Sequence, residues 1–135
     1  MALSAALLTS AAAPGSLDLG IAGVRSAKGV VQLCLTRDPA TFPGCTDDAH
    51  AIRRTVPAVQ TSVNIPDLPT GAYAIALFHD ENRNGRLDTS FGIPREGFGF
   101  SRNPRIGFGP PKFSAARFNV GSGDTAERIK LKYLL

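Results

Sequence analysis

The chain has no tryptophan, one methionine, two tyrosines and two histidines among its 135 residues. No apolar run approaches the ~20 residues that a membrane-spanning helix requires, so the chain is not expected to cross a bilayer. Its two cysteines, Cys34 and Cys45, have no Cys-His spacing to His50 or His79, and a structural zinc site would lack ligands. The Gly-x-Ser-x-Gly elbow is missing too, because Gly99-Phe100-Ser101 runs on into Arg102-Asn103. Long helical periodicity is absent. These gaps remove the common membrane, zinc-finger and serine-hydrolase readings.

What is present points to a β protein. Hydrophobic residues make up 43% of the chain, an ordinary globular share, beside fourteen Gly, ten Pro and eight Phe. That mixture favours short strands joined by many turns. Alternation marks strands over 16–24 (Leu17, Leu19, Ile21, Val24), 29–36, 58–65 (Val59, Thr61, Val63, Ile65), 72–79, 98–101, 116–120 and 127–134. The stretch from Ala72 to His79 is apolar nearly throughout, as a central strand covered on both faces would be. The last stretch sets Ile129, Leu131 and Tyr133 against Arg128, Lys130 and Lys132, so one of its faces meets water. Arg25–Gly29 reads as a hairpin connection and Pro66–Gly71 as a Pro/Gly turn. Pro39–Arg54 reads as a helical or irregular insertion, with one helical turn over 47–52. Spacing near ten residues predicts an all-β fold, an antiparallel Ig-like or prealbumin-like β-sandwich of about seven strands.

Residues 1–13 carry no charge and end in Ala11-Ala12-Ala13 before Pro14-Gly15. This suits a signal peptide without its basic start, or alternatively a short Ala-rich helix packed on the domain. On the first reading the chain is exported to periplasm or medium, with one domain over 14–135. Cys34 and Cys45 then form a disulfide across a Pro-Gly-containing loop; two separate buried thiols are the alternative.

Residues 80–88, Asp-Glu-Asn-Arg-Asn-Gly-Arg-Leu-Asp, place side-chain oxygens at Asp80, Asn82, Asn84 and Asp88, with Gly85 at the sharp turn. Hard cations such as Ca²⁺ collect six to eight oxygens, and alternating Asx residues can wrap several around one ion. The first nine positions follow the EF-hand loop, with the main-chain carbonyl of Arg86 as a further ligand. Position twelve is Phe91 in place of a bidentate Glu, and no helices flank the loop, which excludes an EF-hand proper. Glu96 or Glu81, carbonyls or water would complete the sphere. The competing reading is an Asx turn, in which these side chains bind their own backbone and Asn84-Gly85 supplies a positive φ.

Three strings carry a family resemblance: Leu68-Pro69-Thr70-Gly71-Ala72-Tyr73 running into Ala76–Asp88, then Gly92–Ser101, then Phe108-Gly109-Pro110-Pro111-Lys112-Phe113. Together they resemble the bacterial family called domain of unknown function 2141, most of whose members are predicted to be secreted. The resemblance covers essentially the whole chain after the leader. It implies an Ig-like or prealbumin-like sandwich and no established activity. A looser similarity is to carboxypeptidase-regulatory and bacterial adhesin B-type sandwiches, some of which carry an Asx-rich Ca²⁺ loop; folds alone do not assign function.

After residue 89, Gly92, Gly97, Gly99, Gly107 and Gly109 alternate with Pro94, Pro104, Pro110 and Pro111. This long Gly/Pro-rich loop is expected to fold over one end of the sandwich, pinned by Phe98, Phe100, Phe108 and Phe113. Basic residues interleave with these aromatics, and the net charge is +4. In an exported protein they read as solvated cations beside core rings, so no nucleic acid is expected. Catalytic candidates are His79, Asp80, Asp88, Glu96 and Ser101, but His79 and Asp80 are strand neighbours and point to opposite faces. His79 is expected to donate to a loop carbonyl. The functional expectation is therefore an exported, non-catalytic domain of the cell envelope that binds an envelope protein or polysaccharide and takes Ca²⁺ in its loop. The alternative is a carbohydrate-active or hydrolase-like module using the acids of that loop.

Overall fold

The computed structural model describes residue 4 and residues 12–135, so most of the expected leader lies outside the described residues. Ten strands and one short helix follow in order: β1 (Gly15–Ala22), β2 (Val30–Thr36), β3 (Ile52–Pro57), β4 (Ser62–Leu68), β5 (Gly71–Asp80), β6 (Thr89–Ser90), β7 (Ile93–Pro94), β8 (Phe98–Phe100), α1 (Phe113–Ala116), β9 (Phe118–Val120) and β10 (Asp124–Lys130). One sheet has the order β10-β1-β4; the other runs β3-β2-β5-β8, with β9 also pairing β5. β6 and β7 form a separate two-residue ribbon.

The sheets face each other across an apolar core. Leu17, Leu19, Ile21, Ile65 and Ile129 come from the first sheet, and Val31, Leu33, Leu35, Ile75 and Leu77 from the second. Alternation explains the placement: on β1, residues 17, 19 and 21 turn inward while Asp18 faces water. β5 is buried on both faces, as its apolar run requires. Tyr73, Ile75 and Leu77 enter the main core, whereas Ala74, Ala76 and Phe78 join a second cluster with Phe98, Phe100, Phe113 and Ala116 on the outer face.

Several expectations are corrected. Of the two readings for Pro39–Arg54 the irregular one holds up to Ala51, without the helical turn over 47–52; its end is the start of β3, whose Arg53, Arg54 and Thr55 are exposed with Val56 alone buried. An edge strand needs no alternating apolar pattern, and charged residues there discourage further pairing. Arg25–Gly29 is not a hairpin connection, since β1 lies in one sheet and β2 in the other, whereas Pro66–Gly71 does hold the expected turn, between β4 and β5. Sandwich connections that change sheets use the same turn residues. β1 pairs antiparallel with β4 but parallel with β10, from Ser16↔Asp124 to Ala22↔Lys130. Phe108 pins nothing: it is fully exposed, while Phe98 and Phe100 are buried and Phe113 packs edge-on to Phe42.

Candidate functional site

The end of β5 delivers His79 and Asp80 to opposite faces, as strand geometry demands. Both are fully buried. His79 Nε2 lies 2.7 Å from the Lys28 carbonyl, which can only accept, so Nε2 carries a hydrogen. Its Nδ1 is 2.8 Å from the Tyr133 hydroxyl, which itself accepts the Arg25 N–H. The expected histidine-to-carbonyl bond is therefore present. Burial pushes the Tyr133 hydroxyl above its ordinary pKa, and the charge of Glu81 adds to that. The Tyr133 ring rests on Gly97, where an added Cβ would come within 2.4 Å of it.

The Asx loop is tied by its own groups. Asp80 Oδ1 accepts the Asn84 N–H at 3.1 Å, and Oδ2 accepts the Gly85 N–H at 2.8 Å and Gln32 Nε2 at 3.3 Å. Gly85 takes φ +77°, as the turn requires. Gly29 packs against the start of the loop: a Cβ there would sit 2.2 Å from the Asp80 carbonyl. Asn82 Oδ1 and Asn84 Oδ1 accept the N–H groups of Asn84 and Arg86, the Asx-turn pattern. Their amide nitrogens each donate at 2.7 Å to one oxygen of Asp88. These two donors, first Asn84 and then Asn82, hold the Asp88 carboxyl below its ordinary pKa, with help from the Arg86 charge.

Glu96, from the far side of the β6–β7 ribbon, closes the loop. Its Oε2 accepts the Glu81 N–H at 2.7 Å and its Oε1 the Asp88 N–H at 3.0 Å, with the side chain only 5% exposed. Glu81 turns away to Arg25, whose Nε reaches it at 2.9 Å. Burial raises the Glu81 pKa, and the hydrogen bonds and charge of Arg25 overcome that, leaving it lowered. Ser101 Oγ is buried between the Ile75 N–H, which it accepts, and the Ala116 carbonyl, to which it donates. The structure thus brings Asp80, Asn82, Asn84, Asp88 and Glu96 into one hydrogen-bonded unit and assigns His79 and Ser101 to separate buried links.

Among the described residues, no three His, Cys, Asp or Glu side chains gather as a metal-binding cluster. A cation at this loop would draw on Asp88 and, after a half-turn of their carboxamides, on the oxygens of Asn82 and Asn84. Cys34 and Cys45 are joined as a disulfide, with Cα atoms 6.6 Å apart. No helix among the described residues is long and apolar enough to cross a membrane.

A second feature lies on the larger sheet. A groove of about 780 Å³ opens on the outer face of the larger sheet. Its floor includes Cys34, Ala76, Phe78 and Phe100, and its walls are the 85–94 segment, the 106–110 loop and Pro43-Gly44 of the disulfide loop. Phe108 and Ile93 stand exposed on its rim. The hint in the sequence was the second apolar face of β5, Ala74-Ala76-Phe78, which needs a covering that neither sheet supplies.

The family model described as "Uncharacterized protein conserved in bacteria (DUF2141)" matches residues 19–128. No curated protein and no solved structure matches the chain significantly. With the family model spanning most of the sandwich, the chain belongs to the bacterial DUF2141 family.

Proposed function

We propose that this protein is an exported, non-catalytic binding domain of the bacterial cell envelope, with the outer-face groove as its binding surface and the Asx loop as a Ca²⁺-responsive wall of that groove. The observation that carries the reading is the groove itself. It falls within the usual 300–1,000 Å³ of small-molecule sites, is apolar on its floor, and leaves Phe108 and Ile93 open to solvent on its rim. The disulfide supports an oxidising compartment. A non-catalytic role is supported by the loop acids, because both oxygens of Asp80 and of Glu96 already accept N–H groups.

Ca²⁺ would replace the amide donors now facing Asp88, with the Arg86 carbonyl adding an oxygen. Extracellular modules of this kind bind at roughly 10⁻⁴–10⁻³ M. At about ten times the Kd, a site specific for the folded state adds roughly 1.4 kcal/mol. Thermal melts in Ca²⁺ and in EDTA are expected to differ by several degrees, and Asp88→Asn to abolish the difference. Melting temperatures that coincide in Ca²⁺ and EDTA would remove the cation. The binding surface is tested separately with the neutral dye Nile red, whose emission is expected to rise with the wild-type protein and not with Ala76→Leu, which fills the floor. A dye indifferent to the folded wild type refutes the groove as a binding surface.

A further inference from the structure

We infer that the groove takes a free medium-chain fatty acid, its carboxylate at Arg53 and its chain laid across the strands toward Phe100. This rests on the groove being a binding surface, as proposed above, and adds the class of ligand.

The register supplies the shape. Arg53 of β3 is opposite Cys34 of β2, Cys34 opposite Ala76 of β5, and Ala76 opposite Phe100 of β8. These four residues form a single row across the sheet on its outer face. The neighbouring row is Thr55, Gln32, Phe78 and Phe98. Four strands at 4.7–4.9 Å spacing make the row roughly 14 Å long. Ala76 in the middle is the smallest side chain of the row and leaves a trough between the Phe100 ring and the disulfide. A straight trough of that length suits an extended chain of about ten to twelve carbons, with C–C bonds near 1.5 Å. A polysaccharide would meet few polar partners on such a floor.

Charge decides the other end. Among the described residues, Arg53 is the one charged side chain that lines the groove, and no Asp or Glu lines it. One Arg53 nitrogen, Nη2, donates to the Cys45 carbonyl, which fixes the guanidinium at the end of the trough. Neither ion pair found among the described residues, Arg25–Glu81 or Arg102–Glu127, involves it. Arg105, just before Ile106 of the wall, is also exposed. An apolar trough that ends on an immobilised, carboxylate-free cation complements an anionic head on a single apolar tail. Asp80 shares this face of the sheet, but its oxygens are enclosed by Asn84, Gly85 and Gln32.

Displacement of Nile red by laurate and by dodecanol tests the assignment. Laurate is expected to displace the dye about tenfold more effectively than dodecanol, since the carboxylate gains a charge-assisted hydrogen bond. Arg53→Gln is expected to erase that preference and Arg53→Lys to restore part of it, with dodecanol unchanged in both. Phe108→Ser, on a fully exposed side chain, is expected to weaken both ligands severalfold without altering the melting temperature. Equal displacement by laurate and dodecanol on wild type, or a laurate preference that survives in Arg53→Gln, overturns the fatty-acid assignment while Nile red binding keeps the groove. Failure of the dye to bind folded, monomeric wild-type protein defeats both. A dimer that forms in solution and excludes dye and laurate together would replace the fatty acid with a second copy of the chain.

Discussion

Glu96→Gln is the substitution that best separates a structural acid from a reactive one. The side chain is 5% exposed, and its two oxygens accept the N–H groups of Glu81 at 2.7 Å and Asp88 at 3.0 Å. Glutamine keeps the volume but presents one oxygen and one NH₂, so one of the two backbone donors faces another donor. A hydrogen bond to a charged group contributes about 1.5–3 kcal/mol, and a buried N–H left without an acceptor costs a similar amount. These describe the same loss and are not added. A destabilisation of about 2 kcal/mol follows, which for a domain of this size lowers the melting temperature by roughly 6–10 °C. Circular-dichroism melts of the wild type, Glu96→Gln and the control Glu81→Gln measure it. The control removes a half-exposed pair with Arg25, worth at most about 1 kcal/mol. Amide exchange over 81–88 is expected to accelerate in Glu96→Gln alone. A melting temperature within a degree of wild type would refute the closing role of Glu96 and return it to the pool of reactive acids.

Reduction of the Cys34–Cys45 bond, whose cysteines are 11 residues apart, is expected to cost about 3 kcal/mol by loss of the loop constraint on the unfolded chain, read as a lower urea midpoint in dithiothreitol. An unchanged midpoint would contradict it. Stability is also expected to fall on acidification. Asp88 and Asp48 are held below the ordinary 3.8 by their side-chain hydrogen bonds, and Glu81 below 4.5 by Arg25 despite its burial. A depressed folded pKa gives stability that is present above the unfolded value and lost as pH drops through the folded one, so the loss begins below about pH 4.5 and continues beneath 3.8. Glu127, raised by burial, opposes this: its contribution weakens the fold as pH rises through 4.5. Urea midpoints from pH 6 to pH 2.5 should therefore decline, most steeply below 4. Above pH 10 the raised Tyr133 and Tyr73 hydroxyls predict a second decline, because the unfolded chain ionises first.

Much of the sandwich could be read from alternation. The run from Ala72 to His79 announced a strand covered on both faces, and Ile129-Leu131 against Arg128-Lys130 announced one covered on a single face. β3 stayed hidden because Arg53-Arg54-Thr55 buries nothing and so leaves no apolar alternation to read. The parallel match of β1 with β10 has no local signature either, since side-chain alternation is the same in both directions. At the Asx loop, residue types predicted which side chains would meet but not which atom each would turn inward. The carboxamides of Asn82 and Asn84 hand Asp88 their nitrogens and keep their oxygens for the backbone. Gln32, the third donor to Asp80, lies 48 residues away in sequence and carried no signal. Beyond the second apolar face of β5, the floor of the groove was hidden for the same reason: it is assembled from β2, β5 and β8, and only folding brings them together.

The side-by-side alignment of β1 with β10 has a bearing on how the polypeptide matures. Ser16 and Asp124, joined by a side-chain hydrogen bond, are 108 positions apart, so the smaller sheet acquires its third member only when two distant stretches of the chain meet. Such non-local closure is slow compared with local contacts. Until β10 docks, β1 is paired along one edge only, with β4. Arrival of β10 then acts as a latch that completes the smaller sheet.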